Sequence, residues 1–161
     1  MARYIPSGVA KVVFAPSVSN IAAPTQAEIS AGTVLTSAGG TLIDALAEMN
    51  NWETAVDNID VPDVQTTFDS QIPGRTKASN PTTTHYDNDA AATIRTALAE
   101  GTAGYMIIMR YGSTTGKRSE VYPCKVSTLN DTQVDNKNAP AMFTVTYAVT
   151  SKPNKVGVIA A

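Results

Sequence analysis

Met142-Phe143-Thr144-Val145-Thr146-Tyr147-Ala148-Val149 alternates with a period of two. Phe143, Val145, Tyr147 and Val149 fall on one side, and Thr144, Thr146 and Ala148 on the other. Successive side chains of a strand point to opposite faces, so this pattern predicts a half-buried strand. The apolar set, Phe143, Val145, Tyr147 and Val149, is expected to fill the core between sheets. Pro153 closes the segment.

Working outward, residues 105–111 are apolar on both faces apart from Arg110, which predicts a central strand. Gly112-Ser113-Thr114-Thr115-Gly116 reads as a hairpin loop. Residues 119–129 return as a strand, and Asn130-Asp131 is expected to turn. Residues 82–86 are a strand by β-branched content. Residues 90–99 predict the one firm helix, with Asp87 or Asp89 as cap and Ala91, Ile94, Ala97 and Leu98 as its apolar stripe. Ile94 and Leu98 are its candidate core residues, and Gly101 stops it.

Earlier in the chain the signals are shorter. Residues 9–14 read as a first strand behind an arm over 1–11. Thr25, with Glu28 three residues on, forms a capping-box signature for a one-turn helix ended by Gly32. Residues 42–49 favour helix by propensity, with a short strand as the alternative. Residues 52–61 read as strand, 64–68 as a short strand, and Ile72-Pro73-Gly74-Arg75 as a compact turn. Six to eight strands and one helix fit a mainly β fold, an antiparallel sandwich or squashed barrel with one flanking helix and long loops. All 161 residues are expected to form one domain, with a C-terminal tail at 151–161.

Much chemistry is excluded. One cysteine, Cys124, cannot form an intramolecular disulfide, and one histidine, His85, cannot build a multi-histidine metal site. No nucleophile setting surrounds His85, which reads as structural, and Cys124 reads as a small core or interface residue. Gly112–Arg118 is one residue short of a phosphate loop and has arginine where the Ser/Thr belongs. Asp57, Asp60 and Asp63 lack the glycine and terminal glutamate of a calcium loop. No catalytic residue, cofactor or metal is expected. Segment 1–8 has no apolar signal core, so synthesis in a cytoplasm is expected.

Charge is polarised along the chain. Residues 12–74 hold no Lys or Arg and eight carboxylates, whereas residues 101–161 hold seven basic and three acidic side chains. Folding either mixes these segments on one surface or presents opposite fields on different faces. Charged residues are only 16% of the chain, which suggests surface covered by partners.

Several segments, in order and across the chain, resemble the major tail tube protein of long-tailed bacteriophages of actinobacteria. They are the opening Arg3-Tyr4-Ile5-Pro6-Ser7-Gly8-Val9-Ala10-Lys11-Val12, residues 22–36 around Pro24-Thr25-Gln26-Ala27-Glu28, and Ile72-Pro73-Gly74-Arg75-Thr76. Residues 89–98 with Ile94-Arg95, then 101–105 and 144–153, continue the resemblance. Residues 37–51 depart from it, being longer and more helix-prone than the family's short acidic strand.

The resemblance implies a structural subunit of a virion tail. It implies hexameric rings stacked into a tube, other tail proteins at the tube ends, and DNA passing through the lumen without specific binding. It implies no enzymatic residues. The alternatives are a ring-forming tail terminator or secretion-type tube protein, and a small enzyme or carbohydrate-binding module. Under the tube reading, Glu48, Glu53 and Asp57 are candidate lumen-facing residues, since like charge keeps a passing polyanion from sticking. Residues 60–80 are expected to form a stacking loop between rings, with Asp63, Asp69 and Arg75 as candidate contacts.

Overall fold

The computed structural model describes residues 9–36, 44–62, 70–87, 92–133 and 140–161. The alternating segment Met142–Val149 is strand β9, flanked by β6 (Thr82–Tyr86) and β8 (Arg118–Gln133), both antiparallel. Seven strands follow one path. β2 (Thr33–Val34), β1 (Lys11–Ala15) and β7 (Ala103–Met109) lead to β8, β9 and β6, and then to β3 (Leu46–Asn50). β10 (Asn154–Val158) pairs β8 off this path. β4 (Thr54–Val61) and β5 (Ser70–Ala78) form a separate two-stranded ribbon.

The large sheet curls on itself, and Leu35 links its far ends. Its N–H donates to the Val12 carbonyl, and its carbonyl accepts from the Leu46 N–H, each at 2.8 Å. The molecule is therefore a squashed antiparallel barrel. Inside lie Val12, Phe14, Met106, Ile108, Tyr122, Cys124 and Val126, with Phe143, Val145 and Tyr147 from β9. Helix α2 (Thr93–Ala97) and the residue after it add Ile94 and Leu98, both fully buried. Val149 is half-buried at the end of β9.

The opposite parity of β1, β7 and β8 forms a second, outer core. Val13, Ala15, Ile107, Met109 and Val121 are covered there by Ile29 of α1 (Gln26–Ala31), Val18 and Ile159. β7 is buried on both faces for this reason.

α1 forms because its first turn is capped from both sides. Thr25 Oγ1 accepts from the Glu28 N–H (3.3 Å), and Glu28 Oε2 accepts from the Thr25 N–H (2.8 Å). Glu28 Oε1 also accepts from the Ser19 N–H (2.7 Å). These backbone donors hold the Glu28 carboxyl down to about 2.

α2 is capped differently from expectation. Asp87 pairs with Arg95 (3.3 Å) instead of capping, and Asp89 lies outside the described residues. The cap comes from a distant residue: buried Asp44 accepts the Ile94 N–H through Oδ2 at 2.8 Å.

Other expectations change as well. Leu46–Asn50 is strand, not helix, because pairing with β6 overrides the local propensity. Asn51, in the left-handed region at φ 61°, then turns the chain away from it. Asn130 and Asp131 do not turn; β8 runs through them to pair with Thr144 and Phe143 of β9. Ile72-Pro73-Gly74-Arg75 is not a turn but a bulge inside β5, where Val56 pairs Thr76 and Asn58 pairs Pro73. Proline is tolerated at a bulge because no ladder donor is needed there. A Cβ on Gly74 would lie 2.3 Å from the Asp57 carbonyl oxygen, so the close approach needs glycine. Of the C-terminal segment 151–161, residues 154–158 form β10 on the sheet. The strand expected at 64–68 lies outside the described residues.

Candidate assembly surfaces

Among the described residues, the buried titratable side chains His85 and Cys124 are held in packed, desolvated positions. His85 is fully buried, stacked on Phe143 at 5.2 Å, with Nε2 3.0 Å from Thr83 Oγ1. Thr83 Oγ1 is in turn 2.9 Å from the Tyr147 hydroxyl. Burial pushes the His85 pKa down to about 4, against a smaller opposing effect of the Asp44 carbonyl and charge. The imidazole is neutral at pH 7 and closed off from solvent, and the Thr83 and Tyr147 hydroxyls beside it are equally buried. Cys124 is buried, and desolvation pushes its thiol up to about 12, so no reactive thiolate forms. No cluster of three or more metal-ligating side chains occurs among the described residues. No helix among them is long and apolar enough to cross a membrane.

The outside is more informative. In the β4–β5 ribbon, Ile59 pairs opposite Ile72 and Val61 opposite Ser70. Ile59, Ile72 and Val61 are 54%, 52% and 41% exposed. The other face carries a polar ladder: Asn58 Nδ2 donates to Gln71 Oε1 (3.2 Å), and Gln71 Nε2 to Asp60 Oδ1 (2.6 Å). One face of the ribbon is satisfied by itself, and the other is not.

A second surface opens where the barrel closes loosely. Between β3 and the β1–β7 pair lies a cleft of about 430 Å³, lined by Val12, Leu46, Met49, Trp52 and Ile108, with Glu53 and Arg110 among its polar residues. Trp52 is pinned there. Its Nε1–H donates to the Thr82 carbonyl (3.0 Å), and its own carbonyl accepts from the Tyr122 hydroxyl (2.9 Å). The indole packs on the Tyr122 and Tyr147 rings, each at 5.2 Å.

The residues singled out from sequence distribute as follows. Glu48 is exposed on β3, and Glu53 is exposed beside the cleft. Asp57 is exposed on β4 but bound to Lys77 at 2.8 Å, which offsets its charge. Arg75 is exposed at the β5 bulge. Asp63 and Asp69 lie outside the described residues. The cleft and the apolar ribbon face were not singled out from sequence. Alternation of Ile59 and Val61 was a usable signal for the ribbon face; nothing local marks the cleft, which exists only through closure.

The sequence profile of a family described as phage tail tube protein matches residues 1–161. The chain belongs to the phage tail tube protein family. That membership makes it a structural protein. Two solved structures share the fold. A chain in the six-fold symmetrised baseplate of the anti-feeding prophage is 7% identical with a TM-score of 0.61, covering 98% of each chain. A chain in the extended sheath–tube complex of an extracellular contractile injection system is 12% identical with a TM-score of 0.59, covering 97% of this chain and 95% of the other. Among curated proteins, none matches in sequence. The fold is therefore shared with chains of a prophage baseplate and of an extracellular contractile injection system.

Proposed function

We propose that this protein is the repeating subunit of a virion tail tube, forming hexameric rings that stack around a channel for DNA. The observation that carries the reading is the uncovered ribbon. An isolated two-stranded hairpin is marginal in water, and this one exposes four large aliphatic side chains, Val56, Ile59, Val61 and Ile72, in a chain whose whole length matches a tail tube family. Its edges, which pair with no other strand among the described residues, and its bare face favour cover by another protein surface. Other tail proteins would cap the tube ends. The resemblance of the opening segment favours a long-tailed phage of actinobacteria.

Glu48 and Glu53 are the better lumen candidates, because Asp57 is already offset by Lys77. Arg75, with Asp63 and Asp69, remains the proposed charged contact between rings. The test is electron cryo-microscopy of the concentrated protein. Tubes of stacked six-fold rings are expected. Isolated rings would favour a terminator, and a monomer at every concentration would overturn assembly. Glu48→Lys, Glu53→Lys and Asp57→Lys together should leave tubes intact and slow DNA passage in a salt-dependent way, since screening acts over about 8 Å at physiological ionic strength. Blocked assembly would move these residues from the lumen to a subunit interface.

A further inference from the structure

We propose that the trough at the root of the β4–β5 ribbon binds a small linear oligophosphate, which bridges the ribbon to the barrel. The site stands apart from the assembly reading, since it needs only one copy of the chain. Two adjoining depressions of about 480 and 390 Å³ share Thr54, Thr76, Lys152 and Pro153, and so form one trough. One wall is the ribbon root, with Thr54, Thr76 and Lys77. The other is the turn between β9 and β10 and the start of β10, with Thr150, Lys152 and Lys155. Folding thus gathers three lysines from distant segments. Among the described residues, no Asp or Glu lines either depression. Glu53, next to Thr54, lines the Trp52 cleft instead.

The donors select the ligand class. A lysine ammonium carries three donors and no acceptor. Lys155 is half-buried, and its Nζ uses one donor on a neutral oxygen, Thr54 Oγ1, at 2.9 Å. Lys152 is exposed and pairs with no carboxylate among the described residues. Lys77 is offset by Asp57, so the trough keeps two uncompensated charges. The hydroxyls of Thr54, Thr76 and Thr150 add neutral donors beside them. Such a set suits a compact anion whose oxygens accept from several donors, and lysine acts on phosphate as a point charge. An anion that reaches both walls needs more than one charged group, hence linked phosphates. No aromatic side chain lines the trough among the described residues, so nothing there stacks a nucleobase. The Lys155–Thr54 hydrogen bond already crosses the trough. A bridging anion adds further ties across it and fixes the direction in which the ribbon leaves the barrel.

The test titrates inorganic triphosphate into the dilute subunit at constant ionic strength, followed by calorimetry and amide NMR. Saturable one-to-one binding is expected, with shifts on both walls, at Thr76 and at Lys152. Lys152→Gln should weaken it about tenfold, and adding Lys155→Gln should weaken it further. Because Lys152 is exposed, Lys152→Gln should melt like wild type, so its loss reports binding and not folding. Lys117 is exposed outside the trough, and Lys117→Gln should leave binding unchanged. An equal loss there would mean diffuse attraction and overturn the site, as would the absence of saturable binding. Orthophosphate binding as tightly as triphosphate, or shifts on one wall alone, would overturn the bridge. A single-stranded oligonucleotide that bound more tightly, with the same loss in Lys152→Gln, would make the ligand a nucleic acid backbone and overturn the small-anion assignment. Wild-type tubes without triphosphate binding leave the tube reading intact and remove this site. Triphosphate binding without tubes does the reverse.

Discussion

β9 and β4 are both eight-residue strands; β9 alternates throughout, and β4 alternates at its end, where Ile59 and Val61 flank Asp60. In β9 the alternating set Phe143, Val145 and Tyr147 is at most 1% exposed; in β4 the set ending in Ile59 and Val61 is half bare. The strands differ in what surrounds them. β9 has a strand on each side and a closed inner layer beneath it, while among the described residues β4 pairs only with β5. Alternation therefore reports a face that needs cover. It does not say whether the cover comes from the same chain.

The two strands should differ most when the same charge is placed in each. Val145→Asp buries a carboxylate opposite Thr83 in a core whose buried residues, among those described, include no Lys or Arg, and should cost more than about 4 kcal/mol, much of a typical domain's stability. The variant should lack a cooperative thermal transition. Ile59→Asp places its charge in water and should leave Tm within about a degree or two. A folded, normally melting Val145→Asp protein would show that the barrel interior is not the cooperative core.

A second difference is acid sensitivity. The barrel holds His85 with a pKa depressed to about 4 by burial, against an ordinary value of 6.5. Between these values the unfolded chain binds the proton and the folded chain does not. Stability from this group is thus complete above pH 6.5 and is lost as pH falls toward 4, amounting to about 3 kcal/mol. Urea midpoints measured from pH 7.5 to 4 should fall, and His85→Gln should flatten that part of the profile. An unchanged slope in the variant would assign the acid response elsewhere. No histidine lies on the ribbon, so it contributes nothing to this window.

The parts legible in sequence were those whose signal is local. Alternation located β9, the Thr25–Glu28 spacing located α1, and Ile94 with Leu98 located the buried side of α2. The misread parts depend on distant partners. Leu46–Asn50 becomes strand because β6 offers a ladder, and Asn130-Asp131 stays extended because β9 continues beside it. The α2 cap is Asp44, fifty residues away, which no window can show. The Trp52 cleft is a product of barrel closure through Leu35 and has no sequence signature of its own.

A smaller effect sharpens the outer half of the barrel. Thr25→Ala removes one arm of the capping box and should cost about 1 kcal/mol. The readout is the midpoint of urea unfolding. A negligible loss would mean that Ile29 packing alone sets α1.

The smallest effect belongs to the ribbon. Lys77 and Asp57 form an ion pair at 2.8 Å, with both side chains more than 60% exposed. Exposed pairs gain little, because water screens the attraction and two long side chains must be held in place. Lys77→Met should therefore change the Tm of the dilute subunit by less than about 0.5 kcal/mol in equivalent free energy, with no salt dependence beyond wild type. Assembly should respond differently. Removing Lys77 leaves Asp57 uncompensated and makes the ribbon more acidic. If the ribbon meets a basic surface of a neighbour, the variant should assemble at a slightly lower concentration in low salt, and the gain should vanish at high salt. If it meets an acidic surface instead, the same variant should assemble less readily in low salt. The sign of that salt-dependent shift identifies the charge facing the ribbon while the fold of the subunit stays the same.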